Sequence, residues 1–352
     1  MHDRLLEVEH LQTHFFLDEG VVKAVDGVDL TVRRGRTLAI VGESGCGKSV
    51  LARTLMGIVS RAGRIVGGSM RYYRTPDEVI DLAQLDPRSR AFRDFRGNEA
   101  AMIFQEPMAS FSPVHTIGNQ IGENLRQHFP VSRREARAMT IEMLRKVGIP
   151  RAEDRMDAYP HQLSGGMRQR AMIAMAMICQ PSLLIADEPT TALDVTTQAQ
   201  ILDLMRHLQT ETGMAIILIT HDLGVVAEMA DDVAVMYLGQ IVEQAPVEQL
   251  FATPQHPYTR GLLRSVPHVE AAARQRLDAI PGAVPHPYAR PAGCRFHPRC
   301  RERIAARLTI CSAHEPSLHT VGAHQLARCW LHVPEAERPQ PTPVMSAAEG
   351  GC

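Results

Sequence analysis

The 352-residue sequence has few aromatic side chains, no excess charge of either sign and no long apolar run. Aromatic residues make up 5%, so a platform of rings for stacking nucleic-acid bases is not expected. The 38 basic and 39 acidic side chains leave a formal net charge of −1, which argues against a nucleic-acid partner. No uninterrupted apolar run reaches the roughly 20 residues that a membrane span requires.

The N-terminus carries Asp3, Glu7 and Glu9 and lacks the basic-then-apolar layout of a signal peptide. We therefore expect a cytosolic chain that associates with a membrane only through a partner. In that compartment the seven cysteines do not indicate a disulfide framework. The length and a hydrophobic content of 45% predict one large domain with a full core, together with an appendage.

The strongest motif is a phosphate-binding loop that fits G-x-x-x-x-G-K-[ST] in full. Its residues are Gly42, Glu43, Ser44, Gly45, Cys46, Gly47, Lys48 and Ser49, followed by Val50. An apolar strand precedes the loop and a helix follows it, so backbone N–H groups and the helix N-terminus can surround phosphate oxygens. Lys48 can reach the β- and γ-phosphates, and Ser49 can ligate Mg²⁺. The sequence therefore indicates a nucleotide-binding protein.

Polar side chains lie at the carboxyl ends of three further predicted strands. Gln105 comes after residues 100–104, where its amide can lie near Mg²⁺ or the attacking water. Asp187 and Glu188 end the strand at 182–186; we expect Asp187 to orient the Mg²⁺ ligands and Glu188 to polarise water for in-line attack. His221 follows residues 215–219, where it can contact a γ-phosphate.

An aromatic ring beside the phosphate loop is a candidate for stacking on a purine base. Phe15, in the β-rich N-terminal stretch, is that candidate, although a phenylalanine in a strand is more often part of the core.

Downstream of the phosphate loop, strands alternate with helical segments, which predicts a mostly parallel sheet covered by helices.

With Leu163, Ser164, Gly165, Gly166 and Met167 added, the chain resembles the ATP-binding subunit of an ABC transporter, from about Leu5 to about Leu263. The resemblance makes 42–49 the Walker A loop, Gln105 the Q-loop, 163–167 the ABC signature and 183–187 the Walker B strand. It likewise makes Glu188 the catalytic glutamate, 192–194 the D-loop with Asp194, and His221 the switch histidine.

The resemblance implies an α/β fold, the P-loop NTPase ABC nucleotide-binding domain. We expect that domain at 1–255, with an N-terminal antiparallel β subdomain and a helical subdomain at about 106–170. A small, loop-rich extension would occupy 256–352. Ser164, Gly165 and Gly166 would open a helix whose N–H groups face the γ-phosphate held by a partner subunit, so that two subunits close over each ATP.

A narrower resemblance, to oligopeptide and dipeptide importer ATPases, rests on residues 103–108, 194–201, 256–263 and 293–300. Members of that family import peptides, and some take nickel chelates, glutathione, opines or sugars. The narrower resemblance implies these partners: two membrane permeases, a second ATP-binding subunit (a paralogue or another copy), and a periplasmic or extracellular solute-binding protein. The chain itself would lie at the cytoplasmic face of the membrane.

Two functions other than import are also compatible with an ABC ATPase. A soluble ABC ATPase that acts on nucleic acid or ribosomes usually carries paired cassettes, coiled-coil insertions or basic tracts, and this sequence has none of them. A redox-sensing regulator is the other alternative, because of the cysteines in the extension. The importer is the function that the C-terminal motifs favour.

Four of the cysteines in the extension lie close together in the sequence: Cys294, Cys300, Cys311 and Cys329. Their spacing does not fit the C-x2-C pairs of common zinc ribbons, and four thiolates would suit either iron–sulfur or zinc. Unligated thiols are the alternative. The resemblance implies a four-iron four-sulfur cluster, although Arg301 stands where the family usually has proline and the gap to the third cysteine is longer.

Overall fold

The computed structural model describes residues 3–106, 110–265 and 280–339. Parts of the expected extension, 266–279 and 340–352, lie outside the described residues, as do Pro107 and Met108 of the importer-like motif that begins at 103. Within the described ranges, no helix combines the length and the apolar character needed to cross a membrane.

Strands and helices alternate along most of the chain. The strands are β1 (Arg4–Leu17), β2 (Gly20–Arg33), β3 (Thr37–Val41), β4 (Gly63–Tyr73), β5 (Val79–Asp81), β6 (Ala100–Ile103), β7 (Leu183–Asp187), β8 (Ala215–Ile219), β9 (Asp232–Tyr237), β10 (Gln240–Pro246), β11 (His319–Gly322) and β12 (Gln325–Ala327). The helices are α1 (Lys48–Leu55), α2 (Arg90–Phe95), α3 (Ile117–His128), α4 (Arg133–Lys146), α5 (Ala152–Arg155), α6 (Gly165–Met177), α7 (Val195–Thr212), α8 (Leu223–Met229), α9 (Val247–Ala252), α10 (Pro257–Arg264) and α11 (Arg301–Ala305).

The strands form two sheets. The smaller is antiparallel, in the order β2-β1-β4-β5, and the central sheet has the order β11-β12-β10-β9-β3-β8-β7-β6. In the central sheet β9, β3, β8, β7 and β6 pair in parallel, and β10, β12 and β11 add antiparallel strands at one edge. The predicted α/β class, with a mostly parallel sheet and an N-terminal antiparallel sheet, is confirmed.

The central strands are buried because their sequences are almost continuously apolar. Every residue of β3, β7 and β8 is buried, as expected for parallel strands covered on both faces. One core lies between this sheet and the helices around α6, and another joins the sheet to α1 and the antiparallel sheet. The carboxyl ends of the parallel strands are left open to hold a site.

Residues 116–148 contain two helices, α3 and α4. The sequence predicts Ser132 as the N-cap of a helix that runs to Val147, and Ser132 does cap α4, in a reciprocal capping box with Glu135. The charged residues around 86–88 predict a solvated helix start, but the adjacent helix α2 carries Phe92 and Phe95, which are 1% and 2% exposed and pack in the core. The two closely spaced aromatic rings therefore anchor α2 in the core, although the charged residues near it are typical of a surface helix.

The extension is built into the central sheet. The β11–β12 hairpin pairs with β10, where Ala327 lies opposite Glu243. Glu243 is fully buried, and its carboxylate accepts hydrogen bonds from the backbone N–H groups of Gln255 (2.7 Å) and His256 (2.8 Å) and from Gln325 Nε2 (2.9 Å). A buried carboxylate with three donors thus fastens the sheet, the start of α10 and the hairpin together.

Candidate nucleotide and catalytic site

A cavity of about 400 Å³ opens beside the phosphate loop, at the carboxyl end of β3. It is lined by Phe15, Val22, Lys23, Ala24, Ser44, Gly45, Cys46, Gly47, Lys48, Ser49, Val50, Gln105, Glu188, Leu238, Gly239, His286, Pro287 and Arg290. Most of the residues predicted to bind nucleotide therefore share one cavity, whose size suits a small ligand.

The phosphate loop adopts a conformation that only glycine permits at two positions. Gly42 and Gly47 have φ of 156° and 109°, and a Cβ there would lie 2.2 Å from the Met236 carbonyl oxygen and 2.3 Å from the Ala24 carbonyl oxygen. The loop curls around Lys48, whose Nζ donates to the carbonyl oxygens of Gly42 (2.7 Å) and Glu43 (3.1 Å). This leaves a cationic group and the start of α1 beside the cavity, as phosphate binding requires.

Ser49 and Asp187 meet at the start of α1. The Ser49 hydroxyl donates to Asp187 Oδ1 at 3.1 Å, and Asp187 is 3% exposed. Burial raises the pKa of Asp187, while the hydrogen bond from Ser49 opposes the rise. Hydroxyl and carboxylate oxygens are ligands that Mg²⁺ prefers, so the donor set at this place fits the predicted ion.

Three side chains converge on the Glu188 carboxylate. Gln105 Nε2 and Thr191 Oγ1 each donate to Oε2 at 2.9 Å, and His221 Nδ1 lies 3.2 Å from Oε1. Glu188 has a φ of 49°, and its backbone N–H donates to the Ile219 carbonyl oxygen at 2.9 Å. The left-handed backbone turns the carboxylate towards the cavity, and such conformations concentrate at functional sites.

The environment of Glu188 keeps its carboxylate ionised. Burial alone would raise the pKa, but the hydrogen bonds from His221 and Thr191 outweigh burial and hold the pKa of Glu188 below its ordinary value. An ionised carboxylate beside the phosphate loop can accept a proton from water at neutral pH.

Two residues of the extension bind Glu43 of the phosphate loop. Both terminal nitrogens of Arg299 bind the Glu43 carboxylate, at 2.6 and 3.0 Å, and the Glu43 backbone N–H donates to the Tyr258 hydroxyl oxygen at 2.8 Å. The Arg299 side chain is 4% exposed. Glu43 was predicted as a nucleotide ligand, but its carboxylate is bound to the extension and does not line the cavity.

Four predicted nucleotide contacts lie elsewhere on the chain. The Ser164 hydroxyl accepts a hydrogen bond from the Met167 N–H (3.3 Å) and caps α6, which begins at Gly165 and Gly166. Asp194 caps α7 by accepting from the Thr197 N–H at 3.0 Å. Ser164, Gly165 and Asp194 are exposed, and none of the four lines the cavity. One chain alone does not bring these residues to its own phosphate loop.

One small cavity of about 10 Å³ has Cys294, Cys300, Cys311 and Cys329 in its lining. Burial raises the pKa of each thiol, to about 12 for Cys294 and Cys329, so these thiols are neutral. Cys300 Sγ accepts a hydrogen bond from the Arg303 N–H (3.3 Å). Across the described ranges, no group of three or more His, Cys, Asp or Glu is placed to hold a metal ion. The arrangement of the four thiols therefore gives no support of its own to the predicted iron–sulfur cluster.

Sequence reasoning missed Thr191, Tyr258 and Arg299. Thr191 lies three residues after Glu188, within reach of a local hydrogen bond, so its position carried a weak signal. Tyr258 and Arg299 belong to the extension, 215 and 256 residues from Glu43, and no pattern along the chain links them to the phosphate loop.

Comparison with known proteins supplies the family. Residues 25–191 match the family described as ABC transporter, and residues 242–306 match the one described as oligopeptide/dipeptide transporter, C-terminal region. The chain is 50% identical over 332 residues to the oligopeptide transport ATP-binding protein AppD of Bacillus subtilis, covering 94% of this chain and 98% of that relative. It is 46% identical over 343 residues to the dipeptide transport ATP-binding protein DppD of Haemophilus influenzae, covering 97% and 99%.

Solved structures show the same fold. The structure of CbiO1 from Clostridium perfringens, part of an ABC transporter complex, is similar with a TM-score of 0.57 at 27% identity. The similarity covers 71% of this chain and 92% of that one.

Replacing Thr191 with valine tests what lowers the pKa of Glu188. Thr191→Val removes one hydrogen bond to the ionised carboxylate, so the pKa of Glu188 rises towards its ordinary value. The acid limb of the ATP-hydrolysis profile should therefore move to higher pH, with little change at neutral pH, when rates are measured from acidic to neutral pH.

Thr210→Val is the matched control, because the Thr210 hydroxyl donates to the Arg206 carbonyl oxygen within α7 (2.9 Å) and does not line the cavity. An acid limb that stays in place, or moves to lower pH, in Thr191→Val would contradict the assignment.

Proposed function

The chain belongs to the ABC transporter family as an ATP-hydrolysing subunit, and we propose that it powers the import of peptides or similar small solutes. Peptide import is supported by its two relatives, one named for oligopeptide and one for dipeptide transport. The match of residues 242–306 to the oligopeptide/dipeptide C-terminal region supports the same proposal.

The convergence of Gln105, Thr191 and His221 on the Glu188 carboxylate is the observation that carries the catalytic proposal. Lys48 and the backbone N–H groups at the start of α1 hold the phosphates. Glu188 accepts the proton of the attacking water, and His221 and Gln105 fix the direction of its carboxylate. Ser49 and Asp187, with Gln105, would hold Mg²⁺, which neutralises phosphate charge when bound.

A second ATP-binding subunit is part of the proposal. Ser164, Gly165 and Gly166 lie at the exposed start of α6, away from this chain's own cavity. A helix N-terminus favours anions, so the same residues can approach the γ-phosphate bound by a partner cassette. Asp194, at the start of α7, would lie at the same contact.

Two membrane permeases and a solute-binding protein outside the membrane complete the proposed importer. The chain would sit peripherally at the cytoplasmic face, where closing and opening of the cassette pair moves the permeases.

Affinity purification from gently solubilised native membranes tests this function. The tagged chain should recover two multi-span permeases and a second ATP-binding subunit, and the complex should hydrolyse ATP. Glu188→Gln should recover the same partners and still bind ATP, while the hydrolysis rate falls by roughly 10²-fold or more, since the general base is lost.

Glu248→Gln, an exposed change in the first turn of α9, is the control and should hydrolyse ATP at the normal rate. Recovery of ribosomal or DNA-associated proteins with nothing from the membrane would contradict the importer and favour the alternative function. Unchanged hydrolysis in Glu188→Gln would contradict the assigned base.

We also propose that four cysteines of the extension, Cys294, Cys300, Cys311 and Cys329, take up an iron–sulfur cluster. The support is the donor chemistry, since four thiols line one buried cavity. The cavity of about 10 Å³ means that the sulfurs must move apart to bind a cluster.

Anaerobic purification tests the cluster. The expected result is bound iron with a broad visible absorbance, lost in Cys311→Ser and kept in Cys179→Ser, whose thiol is buried against α3. Colourless, iron-free protein would show that the thiols serve only as packing.

A further inference from the structure

The extension reaches the nucleotide cavity itself. His286, Pro287 and Arg290 line it together with Phe15 and the phosphate loop, although they follow the loop by more than two hundred residues in the sequence. His286 and Pro287 are exposed. Nothing in the phosphate-loop motif or in the residues around Glu188 accounts for this second contribution to the cavity.

Two attachments hold residues 286–290 against β2 and the turn that precedes it. The Tyr288 hydroxyl lies 3.5 Å from Glu19 Oε2 at the turn between these strands, and the Tyr288 ring packs beside Gly20. The His286 ring stacks on Tyr288, with centroids 5.4 Å apart and planes 27° apart. The position of His286 therefore depends on a contact with the strand that lines the cavity.

The second attachment is an ion pair at Asp26 of β2. Arg290 binds Asp26 Oδ2 and lies 3.4 Å from Glu315 Oε1, while Arg295 Nη2 donates to the same Asp26 oxygen at 2.6 Å. Asp26 is 8% exposed, and the Arg295 side chain is 2% exposed. Arg290 therefore attaches residues 286–290 to β2, two residues from Ala24 at the cavity, and Arg295 binds the same carboxylate.

The cavity is lined by two chemically different kinds of group. Lys48, Ser49 and the N–H groups of α1 suit phosphates, whereas Phe15, Val22, Leu238, His286 and Pro287 are apolar or aromatic. An adenine ring needs flat, apolar contacts, and aromatic side chains stack on a base with about 1–3 kcal/mol each. His286 adds an exposed aromatic ring to this lining.

We propose that His286, held by Tyr288 and by the Arg290–Asp26 pair, contacts the base or ribose of ATP bound to the same chain. The extension is then a determinant of nucleotide affinity as well as a structural appendage. The proposal rests on the proposed function of this cavity as the ATP site.

Comparing ATP with inorganic tripolyphosphate separates base contacts from phosphate contacts. With the full chain, His286→Ala should weaken ATP binding by about 5- to 100-fold and leave tripolyphosphate binding unchanged. His286→Phe, which keeps an aromatic ring, should restore most of the ATP affinity. Tyr288→Ala should show the same selective loss, because it frees His286.

His207→Ala is the matched control, since His207 is exposed on α7 and does not line the cavity. If His286→Ala and Tyr288→Ala bind ATP as the unaltered chain does, the proposed contact is wrong and the ATP site stands. An equal loss for both ligands also overturns the contact, because tripolyphosphate has no base. If the unaltered chain binds neither ligand, the proposed function of the cavity fails, and the contact fails with it.

Discussion

Parallel pairing brings the carboxyl ends of β3, β6, β7 and β8 to one edge of the central sheet. The phosphate loop leaves β3, Gln105 follows β6, Glu188 follows β7 and His221 follows β8. Residues separated by more than a hundred positions therefore meet around one carboxylate without any long-range motif. The buried, nearly all-apolar strands make this edge rigid, so the polar side chains are positioned by the core beneath them.

The extension also contacts this edge of the sheet and the phosphate loop. Arg299 and Tyr258 hold Glu43 of the phosphate loop, and Glu243 fastens the β11–β12 hairpin to the sheet. Arg299 and Glu243 are buried, so losing a partner of either leaves a charged group unpaired in a poorly solvated place. The geometry of the phosphate loop thus depends on residues that the ATP-binding motifs do not include.

Sequence reasoning was effective where the signal is local. The phosphate loop, the strands that deliver Gln105, Glu188 and His221, and the cap at Ser132 all follow from short patterns of apolar runs and turn residues. The burial of Phe92 was not predicted. The strands β11 and β12 were not predicted either, because three or four residues carry too little periodicity. The Arg299–Glu43 pair could not be predicted, since nothing in either residue's neighbourhood specifies a partner 256 positions away.

The measurement that tests this account most directly is a double-mutant cycle between Arg299 and Glu43, read out as ATP affinity of the full chain. If the extension sets the geometry of the phosphate loop, Arg299→Ala and Glu43→Ala should each weaken ATP binding. Together they should cost little more than either alone, with a coupling free energy of about 1 kcal/mol or more. Losses that add to within about 0.5 kcal/mol, or single variants that bind ATP normally, would contradict it.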